Sequence, residues 1–104
     1  MLHFIDRAAE LEKHVSKICE RPSWGVDSET TGLDPHKDKI ILFQIGNHED
    51  QYVIDTRKVS LEPLRPFFES RNHKKILHNA KFDYKMLKGT FNIDMEEVRC
   101  TFLA

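Results

Sequence analysis

The chain has 104 residues, 39% of them hydrophobic and 32% charged, and a net charge of −1 with histidines neutral. That length admits one small core and excludes a second domain, while the composition excludes a disordered or fibrous chain. The near-zero charge excludes a protein that grips nucleic acid through overall basicity, so any such contact must come from a local patch or through bound metal.

The opening, MLHFIDRAAELEKHV, turns acidic and amphipathic too early for a signal peptide. No apolar run reaches the roughly 20 residues that span a bilayer, so a cytoplasmic protein without a membrane partner is expected. Ala8, Leu11, Val15 and Ile18 recur at helical spacing within a helix expected from Asp6 to Glu20, with Asp6 as its cap. Arg21-Pro22 ends it.

Three short strands follow, Trp24 to Ser28, Lys39 to Gly46 and Gln51 to Asp55. The middle one is almost continuously apolar and therefore central. Gly32, Asp34-Pro35, Gly46-Asn47 and Glu49-Asp50 supply the turns of a meander. Ser60 to Ser70 reads as a short helix capped by Ser60, Lys74 to Leu77 as a fourth strand, and Ala80 to Lys88 as a helix capped by Asn79. Val98 to Phe102 is the last element. The order implies an α/β fold, a mixed sheet with helices on its faces. Cys19 and Cys100 form no metal-binding or disulfide pattern and are expected to be neutral thiols.

Chemistry concentrates in two stretches. In WGVDSETTGLDP, Asp27 and Glu29 lie two apart on a strand, so their carboxylates share a face, roughly 6 to 7 Å apart along the chain. Trp24, Val26 and Ser28 point the other way. Two adjacent carboxylates repel unless a cation lies between them, and a hard divalent ion suits carboxylate oxygens. Taken alone, the pair reads equally as two solvated acids at a strand end. In ILHNAKFDYKML, a strand runs into Asn79 and a helix whose first turn carries Asp83. Asp83 by itself has a second reading, a negative charge well placed at a helix N-terminus. If Lys74 to Leu77 lies beside Trp24 to Ser28, the three acids converge.

Together VDSETTGLDP and HNAKFD resemble the first two motifs of the DEDD superfamily of 3′–5′ exonucleases, most closely those of the proofreading exonuclease domain of family A DNA polymerases. The resemblance covers essentially the whole chain. It implies a ribonuclease H-like mixed sheet, an antiparallel three-strand meander plus parallel strands, that is C-terminally incomplete. Residues 1–104 would be one truncated exonuclease domain. It also implies two Mg²⁺ or Mn²⁺ ions held by Asp27, Glu29 and Asp83, acting on a single-stranded DNA 3′ end, with a polymerase domain as a possible neighbour in the full-length protein. Thr30, Leu33, Asn79 and Phe82 would touch the substrate, although Leu33 and Phe82 read equally as core residues.

One feature departs from the family pattern. The fourth acid, carried in a YxxxD or HxxxD motif, is absent. Asp94, Glu96 and Glu97 have no spacing that would make them substitutes. The alternatives are therefore a non-catalytic fragment of this fold that binds nucleic acid, metal or a protein partner, and an RNA 3′ exonuclease of the ribonuclease D type. A sheet lacking its closing helices would also expose apolar surface and invite self-association. Lys74, Lys75, Lys81, Lys85 and Lys88 make the second stretch the most basic part of the chain. Lys81, Lys85 and Lys88 share one helical face, whose default reading is a solvated surface and whose other reading is phosphate contact. His78 adjoins the second stretch as a supporting residue.

Overall fold

The computed structural model describes residues 1–34, 36–78 and 80–100. Its strands are β1 (Leu2–Ile5), β2 (Ser23–Thr30), β3 (Ile40–Gly46), β4 (Gln51–Asp55), β5 (Lys74–Leu77) and β6 (Val98–Cys100). The helices are α1 (Ala8–Glu20), α2 (Arg65–Glu69) and α3 (Ala80–Phe91). One sheet holds all six strands in the order β1-β4-β3-β2-β5-β6. The β2, β3, β4 meander is antiparallel, and β1, β5 and β6 join it in parallel.

Period-two alternation decides which side of this sheet becomes the core. Trp24 and Val26 of β2, Phe43 and Ile45 of β3, and Tyr52 and Ile54 of β4 are buried on one face. The helices pack there. Trp24 donates its indole N–H to the Ile18 carbonyl near the end of α1 at 2.7 Å, and Phe43 meets Phe68 of α2 edge to face with centroids 5.3 Å apart. Full burial of each such aromatic stabilises by about 1.5–3 kcal/mol. The opposite face presents Phe4, Val53, Gln44 and Asp27 in one cross-strand row and Leu42 and Glu29 in the next. No described helix covers it. Among the described residues no helix is long and apolar enough to cross a membrane.

Several expected elements shift for identifiable reasons. Residues 2–5 pair with β4 as an extra edge strand that four residues of weak alternation do not announce. The Met1 ammonium donates to the Glu49 carbonyl, and His3 meets Asp50 at 3.2 Å, fastening this strand in place. Asp6 is therefore not the cap of α1; Arg7 takes that position without a side-chain bond. The helix expected from Ser60 to Ser70 is split into a 3₁₀ turn at Glu62–Leu64 and the short α2, each with a proline in its first turn. Proline has no N–H to continue an α-helical ladder, so Pro63 and Pro66 each restart the helix. Ser60 still accepts the Glu62 N–H at 3.1 Å. The helix α3 runs on to Phe91 and stops where Asn92 adopts a left-handed φ of 56°.

Lys75, counted with the basic surface in the sequence, is fully buried. Lys74 points outward and Lys75 inward on the same strand. Its ammonium donates to the carbonyls of Ser70 at 2.7 Å and Glu96 at 2.9 Å and lies 5.2 Å from the Phe67 ring centre. Burial pushes its pKa from 10.5 down to about 8, against the opposing pull of Glu96 and Glu97. Between those two values the unfolded chain binds the proton and the folded one does not, so stability from this group rises with pH. Below about 8 the cost of the buried charge is present in full. The unfolding free energy of the wild type minus that of Lys75→Met is expected to rise by about 3 kcal/mol across this window. Denaturant titrations at several pH values measure it; parallel curves for the two proteins would refute the assignment.

Candidate active site

Strand β2 lies at the centre of the sheet, between β3 and β5. Its alternation leaves Asp27 and Glu29 exposed on the open face, opposite Gln44 and Leu42 of β3. Asp27 also accepts the Ser28 N–H at 2.9 Å, and a register shift between Glu29 and Thr30 ends the regular ladder just past the acids.

Asp83 reaches this strand from the first turn of α3. It is only 4% exposed, and its carboxylate accepts the Ser28 hydroxyl at 2.5 Å. Burial raises its pKa; the Ser28 hydrogen bond works the other way, and the negative charge of Asp27 raises it further. No lysine or arginine among the described residues offsets the charge of Asp83. Asp27 and Asp83 therefore act on one another across Ser28, which is the meeting that the two sequence stretches require. Glu29 shares the exposed face with Asp27 and makes no bond to Asp83. Among the described residues no set of three His, Cys, Asp or Glu side chains is gathered closely enough to hold a metal ion. The donors are hard carboxylate oxygens, and Asp27 and Asp83 repel one another, which suits a divalent cation.

The other candidates fall around the β2–β3 loop. Thr30 donates its hydroxyl to the Gly32 carbonyl at 2.7 Å. Leu33 is 83% exposed, so its core reading fails and its side chain is free to meet a ligand. Phe82 packs partly buried against the core, which agrees with its core reading. Asn79 lies outside the described residues.

Asp38, a residue without a role in the sequence reading, organises this loop. Its carboxylate accepts the Asp34 N–H at 2.9 Å and the Thr31 hydroxyl at 3.1 Å. A Cβ on Gly32 would come within 2.4 Å of it, so glycine is the residue that leaves room for the carboxylate. The signal was present as an acid four residues beyond Asp34, but a loop aspartate has many uses. At the far end of α3, Thr90 accepts the Ile40 N–H at 3.3 Å, tying that helix to the start of β3. Asp55 is the remaining acid on the row of Leu42 and Glu29. Arg57 bonds its carboxylate at 3.1 Å and holds it below its usual range, so it is no substitute for a fourth ligand.

Comparison with known proteins agrees with this architecture. DNA polymerase I of Aquifex aeolicus is 40% identical over 78 residues, which is 74% of this chain and 12% of that protein. The catalytic core of RRP6 from Trypanosoma brucei superposes with a TM-score of 0.87 at 24% identity, covering 94% of this chain and 28% of that one. Escherichia coli RNase D, described as an exoribonuclease involved in structured RNA processing, superposes with a TM-score of 0.83 at 17% identity, over 94% of this chain and 26% of its own. The fold is thus the ribonuclease H-like sheet of these exonucleases, and the chain spans a minor part of each relative. The family model for the 3′–5′ exonuclease matches residues 2–104, the span that contains both acidic stretches and the strand and helix that bring them together, and the chain belongs to that family.

Proposed function

We propose that the chain supplies three acidic residues of a two-metal 3′–5′ exonuclease site that removes nucleotides from a single-stranded DNA 3′ end, as the editing part of a DNA polymerase. The observation that carries this reading is the meeting of Asp27 and Asp83 about Ser28, where the charge of Asp27 acts on a buried carboxylate. Asp27, Glu29 and Asp83 would hold Mg²⁺ or Mn²⁺. A pair of such ions supplies charge neutralisation for the attacking and leaving oxygens of an in-line displacement at phosphorus. The chain's own residues do the positioning. Ser28 fixes the Asp83 carboxylate, and the Gly32–Asp38 loop presents Leu33 toward a terminal base with Thr30 at its root. Asn79 and Phe82 support the second motif.

DNA is favoured over RNA by the polymerase relative, which is the more similar in sequence; the ribonuclease D likeness lies in the fold. Digestion of 5′-labelled DNA and RNA oligonucleotides in Mg²⁺ and in Mn²⁺ decides between them. A DNA ladder shortening from the 3′ end, absent in an Asp27→Ala, Glu29→Ala double variant, is the expected result. A ladder on RNA alone would make the chain an RNA exonuclease, and no cleavage by either protein would leave it a binding scaffold of this fold. Because Ser28 orients a ligand from behind, Ser28→Ala is expected to weaken Mn²⁺ binding about 10–100-fold, and Asp27→Ala to abolish it. Calorimetric titration with Mn²⁺ checks both; unchanged affinity in Ser28→Ala would sink the orienting role.

The open face also favours self-association. Leu2 and Phe4 lie on it, 67% and 54% exposed. Light scattering is expected to show species larger than a monomer, reduced in Phe4→Lys, and a monodisperse wild-type monomer would count against it.

A further inference from the structure

A groove of about 300 Å³ runs between α3 and the β2–β3 loop, lined by His36, Tyr84, Lys85, Lys88 and Gly89. Two pairs four residues apart on α3 line it, Tyr84 with Lys88 and Lys85 with Gly89, so each pair stacks along one side of the helix. Tyr84 follows Asp83 directly, and the loop that carries His36 is the one that follows Glu29 and Thr30. The elements that place the acids therefore also build the groove.

We infer that this groove seats the nucleotides just upstream of the 3′ terminus, with the Tyr84 ring as a stacking platform and Lys85 as the phosphate contact. This deepens the exonuclease reading and rests on it. The Tyr84 ring is 37% exposed, yet its hydroxyl donates to Asp94 at 3.0 Å, which restrains the ring in one orientation. The second oxygen of Asp94 takes the Lys88 ammonium at 3.0 Å, so the carboxylate beside the groove is neutralised by its own lysine. The Lys85 ammonium makes no ion pair among the described residues and is available to an anion. A fixed aromatic face beside an uncompensated cation suits a base and its phosphate. From Tyr84 to Gly89 the helix rises about 7.5 Å, the length of about two nucleotides at the roughly 3.4 Å spacing of a stacked strand. The sequence leaves this helical face as a solvated surface or a phosphate contact; the loop residue His36 closing its other side makes it a groove.

The test uses the 104-residue chain and a single-stranded oligothymidylate labelled with fluorescein at its 5′ end, in EDTA so that no cleavage occurs. Tyr84→Ala is expected to weaken binding about 5-fold or more, whereas Tyr84→Phe, which keeps the ring, retains affinity within about 2-fold. Lys85→Gln is expected to lower the slope of log affinity against log salt by about 0.7. A second probe places 2-aminopurine either next to the 3′ terminus or at the 5′ end. Quenching at the 3′-proximal position only, lost in Tyr84→Ala, supports the assignment. Wild-type affinity in folded Tyr84→Ala and Lys85→Gln, equal quenching at both positions, or no binding by the wild type would overturn it. Digestion lost in the Asp27→Ala, Glu29→Ala variant with unchanged affinity in the groove variants would retain the exonuclease reading and discard the groove alone. Weakened binding in the groove variants without any 3′-end digestion would do the reverse for catalysis.

Discussion

The alternation of β2 is the constraint on which the rest of the molecule depends. One strand at the centre of the sheet must bury Trp24 and Val26 under the helices and hold Asp27 and Glu29 in the open. Strand geometry lets it do both, because successive side chains leave opposite faces. A slip of one residue in its pairing with β3 would carry the acids into the core and the tryptophan into water. Burying one unpaired carboxylate costs several kcal/mol, so the burial of the apolar residues and the exposure of the acids enforce the same register. Ser28 is the hinge of this arrangement: it lies on the buried side, between the two exposed acids, and takes hold of Asp83 from α3.

That contact explains why a site can be assembled from distant parts of the chain. Strand β5 pairs in parallel with β2, so both run in the same direction and α3 starts at the end where Asp27 and Glu29 lie. Ligand sites of open parallel arrangements form at the carboxyl ends of their strands for this reason. The electrostatics then follow from geometry. Asp83 is drawn out of water by the packing of α3 and faces the charge of Asp27, and the only described group that relieves it is a neutral hydroxyl. The fold holds that repulsion in place because the packing of Met86 and Leu87, fully buried on α3, fixes the helix that carries Asp83.

The parts of this structure visible in the sequence were those written in periodicity and punctuation. The apolar run IILFQI marked β3, Pro22 ended α1, and the spacing of Asp27 and Glu29 put both on one face. What stayed hidden depended on long-range partners. The edge strand β1 exists because β4 offers it backbone bonds, and LHFI contains no pattern that demands it. Lys75 is indistinguishable from Lys74 in sequence, yet one faces water and the other donates to two carbonyls. Asp38 and Gly32 are ordinary loop residues until the carboxylate of one fills the space left by the other. Leu33 could be read either as core or as a contact residue, and its exposure in the folded loop removes the core reading.

The two faces of the sheet divide the tasks of the molecule. The helical side contains nearly all the aromatic packing, including Phe68 in edge contact with both Phe43 and Phe67, and it is where a substitution costs stability. The open side carries exposed acids, the paired amides of Gln44 and Gln51, and the glycines Gly25 and Gly46 facing one another in register. Those glycines remove side chains from the sheet surface beside Asp27, leaving a hollow lined by Gly25, Asp27, Gln44, Gly46, Gln51 and Ile76. A Cβ on Gly46 would meet the end of the Gln51 side chain, which would have to swing aside. The aromatic packing and the exposed Asp27 and Glu29 therefore occupy opposite surfaces of a single layer. They are coupled at one bond, Ser28 to Asp83, where the edge of the core becomes the edge of the site.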